Sequence, residues 1–201
     1  MRIGIFGGTF DPIHTGHLLL ADTAADELEL DEVRFTPAAQ SPLKPRPPAE
    51  AKHRLEMVRL ATGGDRRFRV DDQELRREGV SYTIDTLRAV RAQEPQADLF
   101  LLIGADSLSD FALWREPAAI LELATLATAY RGGLEPPDFA AIEPFASAER
   151  IERCRAAVLR MPQIEISSSD IRNRIAAGRS IRYRIPAAVA AYLDAQRLYR
   201  G

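Results

Sequence analysis

Apolar positions along the chain switch repeatedly between strand-like runs and helical spacing. Arg2 to Phe6 is a short apolar run closed by Gly7-Gly8, and His17 to Leu28 then carries Leu18, Leu19, Ala21, Ala24, Ala25 and Leu28 on one helical face. This predicts a strand, a tight glycine turn and a helix. Val33 to Thr36 predicts a second strand, and the stretch from Pro37 to Pro48, broken by Pro42, Pro45 and Pro47, predicts a loop. A helix over Ala51–Ala61, a strand over Phe68–Val70 and a helix over Thr83–Ala92 follow. The last is entered through Ser81-Tyr82-Thr83, where a hydroxyl can cap free N–H groups. Leu99 to Ile103 is continuously apolar and ends at Gly104, the pattern of a strand buried on both faces at the centre of a parallel sheet.

The second half continues the alternation. Glu116–Leu123 predicts a helix and Thr125–Tyr130 a strand, before Arg131-Gly132-Gly133 opens an irregular insert with a helical stretch near Ala148–Arg155. A strand around Ala157–Leu159 leads through Pro162 to Ile164-Glu165-Ile166. Ser167 to Asp170 then caps a helix to about Ala177, and Pro186 opens a last helix to Gln196. Strands and helices in this order predict an α/β chain: a Rossmann-like, doubly wound, mostly parallel sheet with helices on both faces and a C-terminal helical extension. One domain is expected over residues 1–201, with the sheet core in 1–165 and the helical part in 166–201. Ligands of such sheets bind beyond the carboxyl ends of the strands. The motif after the first strand and Gly104-Ala105-Asp106-Ser107 after the central strand should therefore face one crevice.

Composition narrows the class. Hydrophobic residues make up 46% of the 201 residues, charged residues 28%, and the net charge is -2, which disfavours disorder and general nucleic-acid binding. The one cysteine, Cys154, has no internal disulfide partner, so a reducing, cytoplasmic setting is expected. Met1-Arg2-Ile3-Gly4 enters a strand without an apolar leader, and no run approaches a membrane span. Neither export nor membrane embedding is expected.

The densest chemistry is Gly7-Gly8-Thr9-Phe10-Asp11-Pro12-Ile13-His14-Thr15-Gly16-His17. Glycines let backbone N–H groups approach a ligand, and a following helix N-terminus favours an anion. His14 and His17, one helical step apart, could donate to oxygens of one phosphate. Neither the P-loop pattern nor the Gly-x-Gly-x-x-Gly dinucleotide fingerprint is present. Zinc is a competing use of two histidines, but His53 lies on a distant helix, and Asp11 or Asp106 would have to complete the ligand set.

These residues resemble the Gly-x-Phe-x-Pro-x-His-x-Gly-His signature of the nucleotidyltransferase superfamily, and Ile166-Ser167-Ser168-Ser169-Asp170-Ile171-Arg172 resembles its Ile-Ser-Ser-Thr-x-x-Arg partner. The resemblance implies direct attack of an acceptor phosphate on the α-phosphate of a nucleoside triphosphate, with release of pyrophosphate and no covalent enzyme intermediate. It places His17 at the α-phosphate, His14 at the bridging or β-phosphate, and Ser167, Ser168, Ser169 and Arg172 at the β- and γ-phosphates. Gly7, Gly8, Thr9, Phe10 and Gly104 would complete the ATP site. Ser167 to Asp170 can also be read as a plain helix cap.

Ser81-Tyr82-Thr83-x-x-Thr86-Leu87, Ile103 to Leu108, Trp114 and Gln196-Arg197-Leu198-Tyr199 narrow the resemblance to the bacterial nicotinate-mononucleotide adenylyltransferase family. That family implies ATP and nicotinate mononucleotide as substrates, with Mg²⁺ carried on the ATP phosphates and no metal held by the protein. Trp114 could stack on a pyridinium ring, the N–H groups near Tyr82 and Thr83 could receive a carboxylate, and Asp106 could bind the adenosine ribose. Packing for Trp114 and helix capping for Asp106 are the alternatives. Where the family commonly reads Pro-Pro-His-Lys, this chain has Ser41-Pro42-Leu43-Lys44, which leaves Lys44, with Arg131, as candidate contacts for the acceptor's phosphate. Pantetheine-phosphate adenylyltransferase, cytidylyltransferases and a non-catalytic nucleotide sensor are the rival readings. Neither a nucleic-acid nor a membrane partner is expected, and the sequence does not specify an oligomeric state.

Overall fold

The computed structural model describes residues 1–40, 48–77, 79–131 and 136–200, with the backbone alone at Arg131. Six strands form one sheet: β1 (Arg2–Gly8), β2 (Glu32–Pro37), β3 (Phe68–Val70), β4 (Asp98–Gly104), β5 (Thr125–Arg131) and β6 (Leu159–Met161). Their order is β3-β2-β1-β4-β5-β6 and every pairing is parallel. The chain moves outward from β1 to β3, returns to the centre at β4 and moves outward again. The place where the order reverses, between β1 and β4, is where a parallel sheet opens a crevice at its carboxyl edge.

Strand alternation divides the core. Leu99, Leu101 and Ile103 of β4 join Ile3 and Ile5 of β1 in a buried cluster with α4 (Thr83–Gln93), α5 (Ala105–Ser109), α6 (Pro117–Leu123) and α7 (Ala148–Ala156). Phe100 and Leu102 point the other way, with Phe6 and Phe35, into a cluster shared with α1 (Thr15–Glu27), α2 (Ala51–Thr62), α8 (Ser168–Ala176) and α9 (Ala187–Ala195). Both faces of β4 are thus covered, which is why its sequence shows no polar alternation. The segment after residue 165 packs Ile171, Ile185, Val189 and Leu193 into the same cluster as the Ala21–Ala25 face of α1.

Three expectations change. Helix α1 starts at Thr15, with His14 as its N-cap, because the Leu18 N–H already bonds the His14 carbonyl at 3.3 Å. The last strand is Leu159–Met161, two residues later than its sequence suggests, because α7 runs to Ala156 and the Ala157 N–H still bonds the Cys154 carbonyl. Short α3 (Gln73–Arg76) and α5 are additional to the predicted elements.

Candidate active site

The carboxyl ends of β1 and β4 open into a cavity of about 680 Å³. Gly7, Gly8, Thr9 and His17 line one side, Gly104 and Ser107 the middle, and Ser81, Tyr82, Thr83, Thr86, Trp114 and Arg115 the other. The motif after the first strand and the segment after the central strand do share one crevice. Asp106 is exposed in the first turn of α5, between the lining residues Gly104 and Ser107 but not lining the cavity itself.

The glycines work differently from a glycine turn. Gly7 and Gly8 belong to β1, paired with Thr36 and Pro37, and the left-handed residue is Phe10, with φ of 48°. A Cβ on Gly8 would lie 2.9 Å from the Phe10 ring, whereas one on Gly7 would meet nothing within 4 Å and would project into open space. Gly8 is therefore small so that Phe10 can fold back into the core, and Gly7 keeps backbone accessible to the cavity.

The histidines are unequal. His14 is 7% exposed, its ring stacked on that of His17 at 3.7 Å between centroids, and only His17 lines the cavity. The His14 N–H donates to His17 Nδ1 at 3.2 Å, which aims the His17 ring from beneath. Phe10 packs edge-on against the same ring at 5.1 Å. Burial lowers the His14 pKa to about 4, so it is neutral at pH 7. Its Nδ1 is buried with no hydrogen-bond partner among the described residues. The amide ends of α1 are also less available than a bare helix start: Thr15 N–H donates to the Arg184 carbonyl at 3.0 Å and His17 N–H to the His14 carbonyl at 2.9 Å.

The late motif is docked onto the early one. Ser167 caps α8 by accepting from the Asp170 N–H at 3.1 Å, Ser168 Oγ donates to the Pro12 carbonyl at 2.9 Å, and Ser169 Oγ accepts from Arg172 at 3.1 Å. Arg172 also donates to the Asp11 carbonyl at 2.7 Å, and its Nε is buried without a partner among the described residues. Ser167 to Arg172 do not line the large cavity; they stand beside it, behind the turn that carries the histidines.

Buried charge organises this corner. Arg54, 1% exposed, donates to the carbonyls of Thr9 at 2.8 Å, Ala49 at 2.9 Å and Ala39 at 3.3 Å, tying together three segments around the cavity. Burial lowers its pKa, and Asp11 opposes that shift. Asp11 Oδ1 accepts from the Ala49 N–H at 3.1 Å and from the Tyr199 hydroxyl at 2.6 Å, while Oδ2 stands 3.6 Å from Arg172. Arg54 stands among Lys52, His53 and Glu56 and looks like any exposed helix charge, so neither its burial nor this role of Asp11 is legible from spacing.

On the opposite side, helix α4 begins at Tyr82 without a side-chain cap among the described residues. Ser81 does not cap it: its Oγ accepts from the Ala39 N–H at 2.9 Å. The first amides of α4 therefore remain a positive helix end at the cavity wall. Arg115 stacks over the Tyr82 ring at 4.6 Å, and Trp114 lines the cavity while packing on Phe111 at 5.3 Å. Trp114 therefore packs on the core while keeping a face on the cavity. Glu74, buried in the same wall, accepts from Thr86 Oγ1 at 2.5 Å, and burial raises its pKa. The side chain of Arg131 and all of Lys44 lie outside the described residues.

Among the described residues no group of three or more His, Cys, Asp or Glu side chains could hold a metal ion. The donors around His17 suit anionic oxygens instead, so a metal here would fit as a companion of phosphate oxygens. No helix among the described residues is long and apolar enough to cross a membrane.

Comparison with known proteins agrees with this geometry. The cytidylyltransferase-like family model matches residues 5–174. A protein of Rhodopirellula baltica named "Probable nicotinate-nucleotide adenylyltransferase" is 51% identical over 98% of this chain and 93% of its own length. One of the same name from Thermus thermophilus is 44% identical over 100% of both chains. The solved nicotinic acid mononucleotide adenylyltransferase of Plasmodium falciparum, complexed with NaAD, shares the fold with a TM-score of 0.75 at 19% identity, covering 98% of this chain and 97% of its own. Nucleotidyltransferases of this kind generally use a divalent metal with ATP. The chain belongs to the cytidylyltransferase-like family, alongside relatives named as nicotinate-nucleotide adenylyltransferases.

Proposed function

We propose that the protein transfers AMP from ATP to nicotinate mononucleotide, giving nicotinate adenine dinucleotide and pyrophosphate in NAD biosynthesis. The observation that carries this reading is the single cavity joining the Gly7–His17 wall to the Tyr82–Thr83 helix start and Trp114. One side suits a triphosphate; the other suits an aromatic ring bearing a carboxylate.

An oxygen of the acceptor's phosphate attacks the ATP α-phosphorus, a new P–O bond forms, and the bond to the β-phosphate oxygen breaks as pyrophosphate leaves. The acceptor oxygen is already ionised near neutral pH, so no base is required. His17 donates to the α-phosphate, where negative charge gathers. His14, buried and neutral, supports His17 by stacking and by the amide bond from beneath. Ser169 and Arg172 face the leaving pyrophosphate, with Ser167 and Ser168 fixing the helix start that carries them. Mg²⁺ carried on the ATP phosphates would neutralise part of their charge. Asp106 at the start of α5 serves the ribose, and Lys44 and Arg131 the acceptor's phosphate.

The α4 amides and Arg115 favour an acid over an amide at the pyridine ring. Mixing the protein with ATP, Mg²⁺ and nicotinate mononucleotide should release pyrophosphate, with much less from nicotinamide mononucleotide. ATP binding without pyrophosphate release from any mononucleotide would instead support a nucleotide sensor.

A further inference from the structure

The C-terminal residues approach the site from an unusual direction. After α9 the chain turns back through two non-glycine residues in the left-handed region, Arg197 with φ of 50° and Tyr199 with φ of 62°. Such residues persist where surrounding contacts hold them. The Leu198 N–H bonds the Leu193 carbonyl at 3.1 Å, and the turn directs Tyr199 onto Asp11, 188 residues earlier. Burial and the neighbouring Asp11 carboxylate raise the Tyr199 pKa well above the usual phenol range, so the hydroxyl stays a donor.

Asp11 is placed where its charge matters. Arg54 and Arg172 face it, and Tyr199 and the Ala49 N–H together occupy Oδ1. The remaining oxygen stands 3.6 Å from Arg172, beyond direct hydrogen bonding. Arg172 donates to the Asp11 carbonyl instead of its carboxylate. Without the phenol, the carboxylate would be freer to rotate and close on the guanidinium, competing with any bound phosphate for the same donors.

We propose that Tyr199 is a positioning residue for the nucleotide's phosphates: its hydrogen bond holds the Asp11 carboxylate off Arg172 and leaves that guanidinium for the β- and γ-phosphates. The inference rests on the role given to Arg172 above.

The test is binding of a non-hydrolysable ATP analogue with Mg²⁺, measured by calorimetry on the full chain. Tyr199→Phe should weaken binding about tenfold, the effect of losing one hydrogen bond to a charged group. Affinity for nicotinate mononucleotide should stay close to that of the unaltered protein. In an Asp11→Asn background, which removes the competing charge, the same change should cost less than about twofold. Tyr192→Phe, which removes a hydroxyl of α9 paired with His53 at 2.8 Å, is the control expected to leave binding unchanged. Unaltered affinity in Tyr199→Phe, or an equal loss in the Asp11→Asn background, overturns the proposal. Should Tyr199→Phe fail to fold, Asp11→Asn alone decides: binding at least as tight as in the unaltered protein supports the proposal, and weaker binding overturns it. Analogue binding without pyrophosphate release from nicotinate mononucleotide would refute the acceptor assignment and leave this cycle readable.

Discussion

The rings of His14 and His17 lie face to face, 3.7 Å between centroids and 25° from parallel, yet only His17 reaches the cavity. In the proposed reaction His17 meets the nucleotide and His14 supports it. His17→Ala should therefore lower the rate of pyrophosphate release by roughly two to three orders of magnitude, as loss of one donor to a developing oxyanion does. Affinity for the ATP analogue should fall far less, so the loss appears in kcat. Turnover above a tenth of the original would show that the α-phosphate is stabilised elsewhere.

His14 gives a pH signature. Its pKa is depressed from 6.5 to about 4 because burial disfavours the cation. The stability this contributes is complete above about pH 6.5 and is lost as pH falls toward 4 and protonation enters a buried site. NMR titration should show one imidazole, His14, that does not take up a proton between pH 8 and about pH 5. Unfolding midpoints should fall more steeply with acid in the unaltered protein than in His14→Gln.

Trp114 is the chain's one tryptophan and lines the cavity on the side assigned above to the acceptor in the proposed function. Its fluorescence should change on addition of nicotinate mononucleotide and much less with the ATP analogue. Trp114→Ala should raise the KM for the mononucleotide about tenfold, through lost stacking, with a smaller effect on the KM for ATP.

Gly7 and Gly8 form a matched pair. Gly8→Ala would push a methyl to 2.9 Å from the Phe10 ring and should destabilise the fold by about 1–3 kcal/mol, measured in urea. Gly7→Ala meets no atom of the described residues within 4 Å and should leave the stability in urea within about 0.5 kcal/mol, while weakening ATP binding by intruding on the cavity.

Arg54 holds three carbonyls inside the protein. Arg54→Met should cost about 3–5 kcal/mol, because those acceptors and Asp11 would lose a buried cation. A loss below about 1 kcal/mol in a urea titration would mean that water replaces the guanidinium at little cost.

Much of this was legible beforehand, and the exceptions have physical causes. The continuous apolar run of β4 announces itself because burial on two faces leaves no other pattern. The paired motifs at Gly7–His17 and Ser167–Arg172 were visible as sequence. Their mutual docking, Ser168 on Pro12 and Arg172 on Asp11, was not, because it depends on contacts between residues more than 150 positions apart. Glycine is the usual preference for such a turn, yet Phe10, its ring buried, holds the left-handed backbone. The hydroxyl of Ser81, placed in sequence to cap α4, accepts from the Ala39 amide. Four-residue α3 offers too little periodicity to read, so Glu74 in the cavity wall went unseen.

The bond from Ser168 to the Pro12 carbonyl has a meaning for the making of the protein. Its two ends are 156 residues apart, so during synthesis the histidine turn emerges long before its support exists. A chain halted before α8 already contains all six strands but lacks the serine that holds the Pro12 carbonyl. Completion of this corner is thus deferred until α8 has been made.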